Sequence, residues 1–90
     1  MNFTVLWTPT AEQRLAALWL DPTHRAAVSR AANEIDQRLQ RDAPHLGESR
    51  GGARRVFFEP PLGVTYEVDQ ARQIVFVLYV WRFRPGRRQP

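Results

Sequence analysis

Between Asn2 and Trp7 apolar and polar positions alternate, with Phe3, Val5 and Trp7 on one side of an extended chain. This predicts a short opening strand. Beyond it the period changes. Thr8-Pro9 offers a hydroxyl N-cap followed by proline at the first helical position, and Glu12 falls near the positive end of the helix dipole. Ala11, Leu15 and Leu18 share one helical face with Trp19 at its border, so a short helix is expected to stop near Leu20. Asp21-Pro22 repeats the cap chemistry and is expected to start a longer second helix. Its buried stripe is Val28, Ala31, Ala32, Ile35 and Leu39, spaced by threes and fours. Arg30, Glu34, Arg38 and Asp42 stand four apart on the wet side, alternating in sign, each pair adding a few tenths of a kcal/mol. Ala43-Pro44 ends the helix.

Pro44–Ala53, with Gly47, Gly51 and Gly52, reads as a loop. Three strands are predicted after it: Arg55–Glu59, Leu62–Asp69 and Gln73–Arg82. Pro60-Pro61 cannot sit inside a ladder and marks the first connection. Gln70–Arg72 is short enough for a hairpin turn. Val64, Tyr66 and Val68 alternate with Thr65, Glu67 and Asp69, so one face of that strand is wet, whereas Gln73–Trp81 is apolar on both faces and suits a central strand. The expected fold is α+β: an N-terminal strand, a two-helix hairpin, then a three-stranded antiparallel meander completing one sheet. Residues 1–90 are expected to form a single domain.

Composition sharpens this picture. Three Trp, five Phe and two Tyr among ninety residues supply a packed interior rather than a disordered chain. The longest apolar run, Ile74–Trp81, is too short to span a bilayer, and the first residues lack a basic, then long apolar, leader. A soluble cytoplasmic protein with no membrane partner is expected. The absence of Cys excludes disulfides and thiolate chemistry, and two His leave little for a metal, so no metal and no cofactor are expected.

The formal charge is +4, and all thirteen cations are Arg. A GC-rich coding bias accounts for the missing Lys, but not for a C-terminal cluster, Arg82, Arg84, Arg87 and Arg88, that has no acid beside it. Arg contacts phosphate and carboxylate bidentately, so an anionic partner is expected at that end. Arg54 and Arg55 open the first strand of the meander, and Arg50 stands in the Gly-rich loop. Together these guanidinium groups are expected to meet at one rim of the sheet. For RNA cleavage without a metal, arginine can stabilise charge but cannot readily move a proton. His45, Glu48, Glu59, Tyr66 and Tyr79 are the proton-transfer candidates. Tyr66 alternates with valines and reads as core, His45 as a solvated surface group, and His24 as structural. Glu48-Ser49-Arg50 is either a phosphate cradle or, more simply, a turn with an internal ion pair. Trp81 either stacks a base or, as the plainer reading, packs against a helix.

Several strings resemble the RelE/ParE superfamily of toxins from type II toxin–antitoxin modules. They are the opening strand ending in Trp7-Thr8-Pro9 with Ala11 and Leu15 behind it, Ile35 with Leu39, and Leu46 through Arg50-Gly51. The closing hairpin adds Gly63-Val64-Thr65-Tyr66-Glu67-Val68-Asp69 followed by Val75–Arg82. The resemblance covers nearly the whole chain. It implies a growth inhibitor, monomeric alone or held in a hetero-oligomer by a cognate antitoxin that docks on the helices or adds to the sheet. RelE-like members cut mRNA on the ribosome as metal-independent endoribonucleases, and the basic surface makes this the action expected here; the alternative is that of ParE-like members, which poison DNA gyrase without being nucleases. A third possibility is a degenerate, non-toxic partner of its antitoxin. By the resemblance, Arg82, Arg84 and Arg55 are the catalytic candidates, and Arg50, Arg54, Arg87 and Arg88 the partner-binding ones. The chain departs from the RelE-like pattern at two positions. Gly63 stands where an Arg precedes the Val-x-Tyr, and no Tyr follows Tyr79.

Overall fold

The structure is a computed structural model in which residues 2–83 are described. Its elements are β1 (Thr4–Trp7), α1 (Pro9–Trp19), α2 (Arg25–Asp42), a 3-10 turn (Ala43–His45), β2 (Glu48–Ser49), β3 (Arg54–Glu59), β4 (Leu62–Asp69) and β5 (Ile74–Arg82). One sheet runs in the order β1-β5-β4-β3-β2. β3, β4 and β5 form the expected antiparallel meander, while β1 pairs parallel to β5. A parallel pair needs a long crossover, and the two helices provide it. β5 thus lies between β1 and β4, inside the sheet as its apolar sequence predicts.

α1 starts as the sequence indicates: Thr8 accepts a hydrogen bond from the Ala11 N–H at 3.2 Å, with Pro9 next in line. Thr8 also locks the strand-to-helix turn to β5, its N–H donating to the Val77 carbonyl at 3.0 Å. α2 differs from expectation. Asp21-Pro22 opens a separate turn in which Asp21 accepts from the Thr23 N–H, and the helix begins only at Arg25. The interruption is local: His24, with φ −110° and ψ 1°, leaves helical geometry. The expected loop after Pro44 likewise holds structure, the 3-10 turn and the two-residue edge strand β2.

Both helices cover one face of the sheet. Ala11, Val28, Ala31, Ile35 and Leu39 meet Leu62, Val64, Tyr66, Val75, Val77 and Val80 in one core. Val5 and Trp7 of β1 and Phe3 just before it join this core, as their alternation predicts. The Trp7 indole N–H also donates to Asp36 Oδ1 on α2 at 3.3 Å. The i,i+4 charge series expected on α2 is not formed. Arg38 instead reaches across to Glu59 on β3 at 3.2 Å and lies over the Phe57 ring, while Asp42 pairs with His45. A partner on another element that also offers an aromatic face outweighs a solvated neighbour one turn away. Among the described residues no helix is long and apolar enough to cross a membrane.

Candidate functional site

The arginines expected to share a rim are dispersed by strand alternation. Arg55 stands opposite Tyr66, so its side chain is on the helix-covered side. Arg54, one residue earlier, is on the other side opposite Glu67, to which it donates at 3.1 Å. Arg50 donates to Glu48 at 2.9 Å, so the Glu48-Ser49-Arg50 loop is the turn with an internal ion pair. Arg82 is opposite Leu62, back on the helix side but at the far end of β4 from Tyr66, roughly 13 Å of strand away. Its charge falls on Asp21, whose carboxyl is held below its ordinary range mainly by the His24 hydrogen bond and then by the Thr23 N–H. Arg84, Arg87 and Arg88 lie outside the described residues. Arg50, Arg54, Arg55 and Arg82 therefore do not converge.

Arg55 is engaged in architecture. Its Nε donates to the Leu46 carbonyl at 2.8 Å and its Nη2 to the Gly47 carbonyl at 3.3 Å. The Tyr66 hydroxyl sits within 2.9 Å of the Ala43 carbonyl and 3.0 Å of the Leu46 carbonyl, and donates to this pair. Burial pushes the Tyr66 phenol up, and the neighbouring Arg55 guanidinium pulls against that shift. Together the two side chains pin the chain between α2 and β2. Gly47 is required there: its φ is +60°, and a Cβ would stand 1.8 Å from the Val56 carbonyl oxygen. Of the proton-transfer candidates, Tyr66 is core, and His45 is a surface group, 78% exposed and paired with Asp42 at 3.1 Å. Among the described residues no three His, Cys, Asp or Glu side chains gather as a cation site.

The sheet face away from the helices carries a feature that the sequence reading placed elsewhere. Trp81 does not pack against a helix. It lies opposite Gly63 on the outer face, its ring edge-to-face with Phe58 at 5.9 Å and 29° from the plane of Tyr79 at 6.4 Å. Phe83 adds a second edge-to-face contact with Phe58 at 5.2 Å. Phe58 is 49% exposed and Tyr79 41%. Gly63 makes the arrangement possible. A Cβ there would come within 2.6 Å of the indole and 3.1 Å of Phe58, so the ring occupies the space a side chain would need. Arg14 of α1 reaches the same cluster, its guanidinium 5.3 Å from the centre of the Tyr79 ring. A glycine inside a strand, facing a tryptophan on the next strand, is the sequence signal for such a close approach.

On the other side, α1 and α2 leave a groove of about 490 Å³ between them, lined by Leu15, Ala16, Trp19, Val28, Ser29 and Ala32. Trp19 is tied there by its indole N–H, which donates to the Ser29 hydroxyl at 2.9 Å. Arg25 stacks on the outer face of that indole, 4.1 Å from its centre, and donates to the Trp19 carbonyl.

A five-stranded sheet in this order, with a two-helix crossover on one face and the other face bare, is the RelE/ParE fold. Two solved structures show it. A chain of the RelBE2 toxin–antitoxin complex from Mycobacterium tuberculosis superimposes with a TM-score of 0.73 and 22% identity, over 91% of this chain and 92% of that one. A chain of the chromosomal ParDE toxin–antitoxin system from P. aeruginosa gives a TM-score of 0.68 and 20% identity, over 91% and 97%. No protein-family model matches the sequence, and no curated protein matches it. At these identities the shared property is the fold.

Proposed function

We propose that this chain is the toxin of a type II toxin–antitoxin pair, a growth inhibitor that acts by binding its target rather than by cutting RNA. The shared fold with chains of two toxin–antitoxin complexes supports the first half. The second half rests on one observation: the Trp81 indole lies across Gly63, where a RelE-like chain would project an arginine. In-line RNA cleavage needs a base, an acid and a stabiliser of the phosphorane charge, held together. Here Arg55 is committed to two backbone carbonyls and Arg82 lies at the other end of the sheet. The ParE-like action, inhibition of DNA gyrase in the cytoplasm without nuclease chemistry, fits this geometry best. A cognate antitoxin has a ready seat in the apolar groove between α1 and α2, which suits an amphipathic segment.

Induced expression tests the reading. Growth arrest with gyrase-dependent DNA breaks and intact messages is the expected outcome. Primer extension showing cut messages would overturn the non-cleaving mechanism. Unimpaired growth would leave only a non-toxic antitoxin partner. The RelE-like alternative keeps one supporting observation, an exposed Arg82 that joins none of the ion pairs formed among the described residues. Under that alternative, Arg82→Ala with Arg84→Ala abolishes ribosome-dependent cutting.

A further inference from the structure

We infer that the bare sheet face is a self-association surface: two copies of the chain pack these faces together about a two-fold axis, in place of the lone monomer expected from the resemblance. Such a contact goes beyond the proposed function and does not depend on it. First, the face is built for contact. Leu6 of β1 stands opposite Phe76 of β5, and further along β5 come Tyr79 and Trp81, with Phe58 on β3 across the small outward residues Gly63 and Thr65 of β4. Leu6, Phe58 and Tyr79 are each close to half exposed. Strict alternation after Val75 and Val77 would send Tyr79 and Trp81 toward the helices. Tyr66 pairs with Val77 but Thr65 pairs with Tyr79, so Leu78 is one residue too many, and this bulge turns both rings to the outer face. The Thr8 hydroxyl donates to the Leu78 carbonyl at 3.4 Å and ties the bulge to the start of α1. A bulge in a central strand that leaves large rings in water serves recognition, not stability.

Second, charge selects the occupant. Among the described residues the outward-facing acids of the sheet are Glu48, Glu67 and Asp69. Each has its own arginine: Arg50 at 2.9 Å, Arg54 at 3.1 Å and Arg72 at 2.8 Å. These pairs cancel, which leaves Arg14, lying over the Tyr79 ring, as the cation in excess. A face so close to neutral, on a chain of formal charge +4, lets two copies meet with little like-charge repulsion. An anionic partner gains little from it, since it meets Glu48 and Glu67 beside the arginines. Third, β4 and β5 are paired on both sides, so an extended peptide finds no backbone edge among the rings. A broad, open sheet is complemented by another sheet laid about 10 Å away with its strands turned by roughly 30°. With the two-fold axis through Tyr79 and Trp81, the rings of each copy meet those of the other. The ion pairs, toward the turn after β4 and the β2 edge, then stay at the rim in water.

Sedimentation equilibrium of the full, nuclease-treated chain over roughly 1 μM to 1 mM tests this, because weak interfaces dissociate in that range. A monomer–dimer equilibrium is expected. Raising salt to about 0.5 M should leave it unchanged or strengthen it, since only the residual repulsion between two +4 chains is screened. Tyr79→Glu should weaken the dimer more than about tenfold by placing like charges across the axis, and Phe58→Glu should do likewise. Both positions are exposed, and far-ultraviolet circular dichroism shows whether each variant folds. Leu6→Ser, a milder change on the same face, carries the test if a glutamate variant does not fold, and should weaken the dimer several-fold. Leu20→Glu, at the exposed end of α1, is the control and should leave the dimer intact. A chain that stays monomeric throughout, a dimer dissolved by Leu20→Glu but not by Tyr79→Glu, or assemblies that grow beyond two copies would each overturn the inference. So would association seen only before nuclease treatment and lost in salt, which would make a bridging polyanion the occupant. These readings are of mass alone, so they stand or fall whether or not induced expression arrests growth.

Discussion

The two faces of the sheet are built from similar residues and put to opposite ends. Leu62, Val64, Tyr66, Val75, Val77 and Val80 face the helices and are fully buried. Leu6, Phe58 and Tyr79 face the other way and remain between 41% and 49% exposed. Burying a large apolar side chain contributes roughly 1.5–3 kcal/mol, so leaving such rings in water forgoes stability that a covering element would supply. An apolar surface of this kind is the part of a fold from which binding is expected. The helix-covered face accounts for stability; the bare face is available for recognition.

The most damaging test of this contrast is truncation on each side. Leu39→Ala, in the fully buried stripe of α2, is expected to cost about 2–5 kcal/mol by urea unfolding, and Ile35→Ala a comparable amount. Tyr79→Ser or Phe58→Ser should cost under about 1 kcal/mol, as surface changes generally do. Equal losses on the two faces would remove the distinction between them.

A smaller effect is expected where the covered face reaches the loop. Tyr66→Phe keeps the ring but deprives the Ala43 and Leu46 carbonyls of their shared donor. A loss of about 1–3 kcal/mol in the unfolding midpoint is expected. The raised phenol also sets a direction with pH. Because the folded state prefers the neutral hydroxyl, this contribution is complete below pH about 10 and is lost as pH rises through the higher folded value. Tyr66→Phe should flatten that alkaline decline.

Gly63→Ala probes the bare face from beneath. The new methyl group must displace the Trp81 indole, a side chain free to move outward, so the expected cost is about 1 kcal/mol. The sharper readout is spectroscopic: the near-ultraviolet circular dichroism of the Phe58–Trp81–Tyr79 cluster should change while the far-ultraviolet signal stays. An unchanged aromatic signal would mean the indole does not lie where the geometry places it.

The smallest effect is at the turn joining the helices. The Asp21 carboxyl is depressed, so its contribution is present above the ordinary carboxylate pKa near 3.9 and fades as pH falls through the lower folded value. Asp21→Asn should lower stability slightly at pH 7, where that contribution is present, and make the decline below about pH 4 shallower, measured as urea midpoints between pH 3 and 7.

Most of the fold was legible in the sequence because its signals are local. The 3.6-residue stripe of α2, the Thr8-Pro9 cap and the alternation of β4 each depend on neighbours a few positions away, and each appears where expected. Local cues misled where a nearby alternative won. Asp21-Pro22 has the chemistry of a helix start, yet its side chain closes a turn first. The candidate site was far less legible. Arg54 and Arg55 look like one basic pair in the chain, but a side-chain period of two sends them to opposite faces.

What ninety residues determined unaided is therefore the two helices and the four longer strands, the inner core and the α+β architecture, since periodicity and capping operate within a single segment. Only the tertiary structure decided which charges are spent and which rings are left in water. Glu67 beneath Arg54 and Trp81 over Gly63 join positions that strand register brings together, and Glu59 beside Arg38 joins a strand to the helix packed on it. Register is a property of strands paired across the fold, and no stretch of sequence carries it alone.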